Sequence, residues 1–438
     1  MSGSDSVFQF RSTRNPASNP VDFKQAVLEG LAPDGGLFYP LEIPRFQSEQ
    51  WAEMRGMSVA EIASSYLQPF VAGSIEPSQL ERICGRVFSF PFELKHVKAG
   101  VWALELFHGP TLAFKDVGAR FLAECLARFA GDRPSVVLVA TSGDTGSAVA
   151  NGFLGVEGVE TVILYPKGKV SPLQEKQFAS LGGNVQALAV EGSFDDCQRM
   201  IKQAFADEAL RQAVPISSAN SINVARWLPQ GVYYLATAAQ FEDACVFAVP
   251  SGNYGNITAG LMAERCGMPA AGWLATSNAN DVVPRFLQGQ DYHPQASVPT
   301  LANAMDVGAP SNFERLQALF EQDASRMRQH LKGAAFQDKE IAACIKEVQS
   351  RHSYLLDPHG ATGWLGLEQH SQNWAEDVPR IFLETAHPAK FQDGIKASTG
   401  IEAVLPERLR AFESREVNSI PFKSDFGEFR SYLMDRFA

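Results

Sequence analysis

Residues 135–165 read SVVLVATSGDTGSAVANGFLGVEGVETVILY. The first six form a continuous β-branched run, the pattern of a strand buried on both faces of a parallel sheet. A glycine loop follows at 141–146, then a helical pattern over 147–154, then a second buried strand at 161–165. Strand, loop, helix and strand make one βαβ unit, and working outward the unit recurs. Residues 185–190 read as a third strand, with a helix over 194–205. Residues 244–250 (ACVFAVP) read as a fourth, followed by SGNYGN at 251–256 and a helix through 264, and RIFLET at 380–385 closes the series. This alternation predicts an α/β fold of two open, twisted, mostly parallel sheets flanked by helices. Ligands of such sheets bind outside the carboxyl ends of the strands, where both glycine loops sit.

The first stretch of about 95 residues has a different texture, with amphipathic patterns at 21–31 and 57–67 joined by turn-rich text that includes Ala32-Pro33-Asp34-Gly35-Gly36. It predicts a mainly helical N-terminal extension. The expected organisation is an extension at 1–96, a first α/β domain at 97–240, and a second at 241–438 with C-terminal helices. With 438 residues, 45% of them apolar, the chain has ordinary globular composition and enough length for a core without disulfides or metal. Its net charge of −11 argues against a nucleic-acid surface, which needs clustered Lys and Arg. No run is apolar for long enough to span a bilayer, and the N-terminus is polar. The six scattered cysteines include no CxxC pair, as in reduced thiols. A cytoplasmic protein with neither membrane nor nucleic-acid partner is expected.

Chemistry concentrates in a few places. In His108-Gly109-Pro110-Thr111-Leu112-Ala113-Phe114-Lys115-Asp116, a rigid turn leads to a lone lysine. Asp116 is the expected N-cap of a helix whose stripe is Val117, Phe121, Leu122, Leu126 and Phe129. Lys115 would then sit where a positive helix end and apolar neighbours depress its pKa, and a partly neutral lysine can form a Schiff base. From spacing alone, a solvated lysine at a helix start is the commoner arrangement. Thr141-Ser142-Gly143-Asp144-Thr145-Gly146 and Ser251-Gly252-Asn253-Tyr254-Gly255-Asn256 each follow a strand and open a helix, so either can be an anion cradle or a simple capping turn. The second is neither a Walker loop nor a GxGxxG fingerprint. A phosphate-bearing aldehyde cofactor needs one amine and one phosphate cradle, and a second anion loop suits a substrate carboxylate. Asn220, Asn223 and Arg226 offer amides and a bidentate guanidinium, or else a polar cap for the next helix. Thr385 and His387 lie at a strand's carboxyl end. No HExxH or paired-Cys spacing occurs, so no metal is assigned, and no GxSxG elbow is present.

The run LFHGPTLAFKDVGARFL at 106–122 resembles the lysine segment of threonine synthases, in the branch that includes bacterial and fungal enzymes. Ser12-Thr13-Arg14-Asn15 and GLAPDGGL at 30–37 resemble that family's N-terminal domain, and TSGDTG, SANSIN with Arg226, SGNYGN and TAHPAKF follow in the family's order. The resemblance implies pyridoxal phosphate as cofactor and the fold of the tryptophan-synthase β-subunit group, fold type II. It also implies conversion of O-phospho-L-homoserine and water to L-threonine and phosphate, the last step of threonine biosynthesis. By matching position, Lys115 is the Schiff-base and catalytic lysine, with Phe114 and Asp144 beside the cofactor. Gly252, Asn253, Tyr254, Gly255 and Asn256 hold its phosphate, and Thr385 faces the pyridine nitrogen. Thr141, Ser142, Gly143 and Thr145 contact the substrate carboxylate, while Asn220, Asn223 and Arg226 hold the substrate phosphate. The wider fold group often has Asn where this chain has Asp144, and an ionised Asp144 would oppose a bound carboxylate. A monomer or homodimer is expected. The competing readings are a serine/threonine dehydratase, a phospholyase-like relative, and a catalytically silent ligand-binding relative.

Overall fold

The computed structural model describes residues 7–131, 133–141 and 143–438. Ser135–Ala140 lies inside a five-stranded parallel sheet, in the order Ser419–Lys423, Val185–Glu191, Val159–Pro166, Ser135–Ala140, Ile216–Ser218. Its alternate side chains enter two different cores. Val137 and Val139 pack on the side of Phe121 and Leu122, whereas Val136 and Leu138 pack with Met200, Ile201, Phe429 and Leu433. Burial on both faces is why the run is apolar without alternation, and each such side chain stabilises by roughly 1.5–3 kcal/mol.

A second sheet of six strands runs Leu331–Ala335, Ala270–Ser277, Cys245–Pro250, Arg380–Glu384, Val101–Glu105, Glu93–Lys98. All neighbours are parallel except the last pair. Sheet membership crosses the boundaries expected from sequence texture. Glu93–Lys98 straddles the expected boundary at 96 and Val101–Glu105 lies in the expected first α/β domain, yet both belong with the strands of the second. Ser419–Lys423 returns from the far end to edge the first sheet, and the helix Phe426–Phe437 covers that sheet. Pairing partners so distant in sequence leave no local signal.

The N-terminal part is mainly helical around a small antiparallel sheet of Val21–Asp22, Gln9–Ser12 and Phe38–Pro40. The pattern at 21–31 resolves into a helix Phe23–Glu29 because Asp22 accepts from Gln25 N at 2.7 Å and ends the strand as an N-cap. The pattern at 57–67 becomes Val59–Val71, started by a Ser58/Glu61 capping box. Phe23 lies 6.5 Å from Phe121 and 6.2 Å from Phe129, so this unit buttresses the helix that carries Lys115. Ser12 Oγ bonds Asp34 Oδ1 at 2.7 Å, which joins the two N-terminal motifs. No helix among the described residues is long and apolar enough to cross a membrane.

Candidate active site

Lys115 is the first residue of the helix Lys115–Phe129. The turn before it is held by the end of the strand Arg380–Glu384. Phe114 N donates to Thr385 O at 2.9 Å and His387 N to Leu112 O at 3.0 Å. Leu112 has φ 56°, a left-handed conformation that a branched side chain adopts only under constraint, as at functional sites. Asp116 is not the N-cap; Phe114 occupies that position. Asp116 instead folds back, accepting from Thr111 N at 2.8 Å and Thr111 Oγ1 at 2.5 Å, which closes the Gly109-Pro110 turn. Burial pushes its carboxyl up to about 6 against those bonds. Lys115 keeps an accessible edge. Burial lowers its pKa first, Asp144 opposes that, and Lys390 and Arg226 add to it.

In the 141–146 loop, Thr141 Oγ1 accepts from Gly143 N at 2.9 Å and from Gly146 N at 2.8 Å. Its hydroxyl therefore shapes the loop rather than facing outward. Gly143 has φ 147°, a conformation that suits glycine. Thr145 is half-buried, and Ser142 lies outside the described residues. Asp144 forms a buried ion pair with Lys390 at 2.6 Å and accepts from Gln174 Nε2 at 2.9 Å. Burial alone would raise its carboxyl, but Lys390, Lys115 and His359 hold it well below the usual carboxylate range. Asp144 is thus ionised but neutralised by a neighbour. Lys390 carried no assigned role in the sequence beyond its place in the TAHPAKF run, because a single lysine past a strand end reads as solvated.

The SGNYGN loop opens the helix Gly255–Arg265, whose first amides have no acceptors within the helix. Tyr254 is left-handed at φ 60°, with its hydroxyl 2.8 Å from Ser277 Oγ. A Cβ on Gly252 would lie 2.6 Å from the Met305 Cα, so only glycine lets the loop pass. Tyr233 and Tyr234 both donate to Asn256 Oδ1, at 2.5 and 2.6 Å. This leaves Asn256 Nδ2 buried without a protein partner. A buried donor without an acceptor, beside a helix N-terminus and a glycine backbone, fits a phosphate group. Asn253 is different: its amide donates to Ser221 Oγ and accepts from Ser311 N, both at 2.6 Å, which ties the loop to two neighbouring segments. Gly252→Ala is expected to weaken cofactor binding roughly 10-fold, since overpacking costs about 1–3 kcal/mol. Fluorescence titration with pyridoxal phosphate reads this directly, and unchanged affinity would place the cradle elsewhere.

Through Ser221 the SANSIN segment joins this loop. Asn223, expected on a substrate phosphate, has its amide committed to backbone. Nδ2 donates to Val27 O at 2.9 Å and Ser218 O at 3.2 Å, and Oδ1 caps Ala225 N at 3.0 Å. The capping alternative describes it. Asn220 is half-buried and stands at the turn. Arg226 is buried beside the lysine helix, where a Cβ on Gly118 would meet its carbonyl at 2.5 Å. Its Nη1 donates to Ala219 O, and its Nε has no protein acceptor. Burial lowers its pKa to about 10, against the pull of Asp116. Arg315, unmarked in the sequence, fixes this corner. Fully buried, it donates to Phe38 O at 3.1 Å, Ser221 O at 3.2 Å, Asn312 Oδ1 at 2.8 Å and Ile222 O.

Thr385 follows a strand whose last residue, Glu384, is fully buried against Asp357. Asp357 is itself 2.5 Å from His359 Nδ1. Burial first, then the Asp357 carboxylate, push the Glu384 carboxyl well above its ordinary value. Native Glu384 therefore keeps a proton that the unfolded chain releases. Its contribution to stability is full at low pH and is lost as pH rises from the ordinary carboxylate range through the raised value. Urea midpoints measured between about pH 5 and pH 8 are expected to fall less steeply in Glu384→Gln than in the parent. Parallel curves would refute a protonated native Glu384.

A family model described as "Pyridoxal-phosphate dependent enzyme" matches residues 87–381, "Threonine synthase N terminus" matches 9–88, and "Threonine synthase, C-terminal" matches 361–432. The threonine synthase of Haemophilus influenzae is 44% identical over 418 residues, covering 94% of this chain and 97% of that protein. The crystal structure of threonine synthase from Escherichia coli matches with a TM-score of 0.91 at 40% identity, over 98% of this chain and 99% of that one. The pyridoxal-phosphate-bound threonine synthase from Brucella melitensis matches with a TM-score of 0.90 at 35% identity, over 98% and 99%.

Proposed function

This chain belongs to the threonine synthase family of pyridoxal-phosphate-dependent lyases, and from that premise we propose that its substrate is O-phospho-L-homoserine, converted with water to L-threonine and phosphate. The observation that carries the reading is a lysine whose helix packs on one of two linked, anion-suited corners. These are the SGNYGN loop with its unpartnered Asn256 Nδ2 and the SANSIN corner with Arg226.

When bound, pyridoxal phosphate supplies an electron sink next to the substrate amine. Gly252, Asn253, Tyr254, Gly255 and Asn256 would hold its phosphate, through backbone amides and the Asn256 Nδ2. Phe114 and Asp144 would lie beside the ring, and the Thr385 hydroxyl would face the ring nitrogen as a neutral partner. Lys115 would hold the aldehyde carbon until substrate arrives. Its freed amine, with a lowered pKa, then takes the proton from Cα. A second proton would pass from Cβ to the phosphate, whose bond to Cγ breaks as it departs toward Arg226. Water would then add its hydroxyl to Cβ, and its other proton and the one held by Lys115 would go to Cγ and Cα. Thr145, Gly143 and the loop amides would receive the substrate carboxylate. The Asp144–Lys390 pair has little net charge, so Asp144 does not repel that carboxylate.

We keep the three units 1–96, 97–240 and 241–438 as functional divisions, with the strand exchange described above, and read the protein as a cytoplasmic monomer or homodimer. The free, buried cysteines support a reducing compartment. Incubating purified protein with O-phospho-L-homoserine is expected to yield threonine and phosphate in equal amounts. Phosphate with ammonia and a 2-oxo acid, but no threonine, would identify a phospholyase instead.

A further inference from the structure

We propose that Lys390 is a positioning residue for the Lys115 amine: its ammonium bridges Asp144 and the Thr111 carbonyl, pins the start of the helix Asp144–Phe153 behind one sheet onto the lysine turn of the other, and sets the field around Lys115. The proposal deepens the function above and rests on Lys115 as the reacting amine. Lys390 Nζ lies 2.6 Å from Asp144 Oδ1 and donates to Thr111 O at 2.8 Å. The two side chains are 0% and 3% exposed, so neither charge has solvent as an alternative partner. Lys390 follows the strand Arg380–Glu384 of the six-stranded sheet, and Asp144 follows Ser135–Ala140 of the five-stranded one. The bridge therefore joins the two halves of the molecule at the point where Lys115 stands.

Asp144 is shared. The ionisable groups around it are Lys390, Lys115 and His359, with the Gln174 amide as a neutral neighbour. Those around Lys115 are Asp144, Lys390 and Arg226. While Lys390 holds Asp144, Lys115 faces a nearly neutral pair plus the Arg226 cation, and its amine loses a proton readily. Without Lys390 the carboxylate faces Lys115 with only the Gln174 amide and His359 beside it, and keeps Lys115 as an ammonium. Without Asp144, two cations face Lys115 and drive its proton off. The two losses therefore act in opposite directions on the same nitrogen, which a purely structural tie would not produce.

The test is competitive acetylation of Lys115 in full-length protein freed of cofactor, followed across pH by mass spectrometry. In Lys390→Gln the labelling midpoint is expected to rise by about one pH unit, and in Asp144→Asn to fall by about one. The double variant should return close to the parent, and Lys390→Arg, which keeps the charge, should stay close to it. Shifts of the same sign, or no shift in either single variant, would overturn the proposal, as would a Lys390→Arg midpoint that moves as far as that of Lys390→Gln. Labelling reports Lys115 whether or not threonine forms, so the expected shifts without turnover would refute the substrate reading and leave this one standing.

Discussion

Lys115→Ala protein is expected to lose threonine formation by roughly 10³-fold or more, and to lose the absorption change that accompanies capture of the cofactor aldehyde. The size follows from two roles carried by one nitrogen. General-base work alone contributes about 10²–10⁴-fold, and the covalent hold on the aldehyde places the cofactor over the substrate. The fold should survive the change. Position 115 is the first residue of its helix, alanine is the best helix former, and Asp144 keeps Lys390 as its counter-charge. Lys115→Arg is the useful control, since it restores a cation but no amine that can surrender its proton near neutral pH. Both variants should bind pyridoxal phosphate through the SGNYGN corner while remaining inactive. Turnover retained in Lys115→Ala would remove this residue from the chemistry.

The parallel strands were legible because burial on both faces forces unbroken β-branched runs such as 135–140, and few other elements write themselves that way. The glycine loops were legible because φ 147° at Gly143 and the Met305 backbone against Gly252 leave no room for another residue type. Charged residues that turn inward were not. Lys390 and Arg315 are buried by the meeting of segments hundreds of residues apart, as in the bond from Arg315 to Phe38 O at 3.1 Å. A window of sequence shows only a lone cation. Asp116 illustrates a narrower failure. Its type and position fit an N-cap, but the Gly109-Pro110 turn brings Thr111 within 2.8 Å, and a nearby donor pair outcompetes the helix end. Asn223 shows the converse, an amide of a type that suits a ligand but satisfies the carbonyl of Val27 instead. The strand Ser419–Lys423 was missed because its residues are partly exposed at a sheet edge, where apolar continuity is not required.

Arg226→Gln is expected to raise the KM for O-phospho-L-homoserine about 100-fold, equivalent to about 2.7 kcal/mol, while cofactor affinity stays near that of the parent. A guanidinium taken out of water keeps its charge only if partners justify it, and here the protein supplies few. Among the described residues Nη1 reaches Ala219 O, Nε has no acceptor, and Asp116 is the carboxylate that supports the charge. A phosphate ester entering this corner would complete the set, with two parallel N–H donors that Lys cannot reproduce. Arg226→Lys should therefore recover only part of the loss. The leaving group is the same phosphate, so charge that grows on its bridging oxygen as the Cγ–O bond breaks is met by the same side chain. A fall in kcat should accompany the rise in KM. Competition separates this from a scaffold role. Inorganic phosphate should inhibit the parent and lose that effect in Arg226→Gln. If KM and phosphate inhibition stay put while the thermal midpoint drops, Arg226 only staples Ala219 to the lysine helix, and the substrate phosphate must be held by other groups.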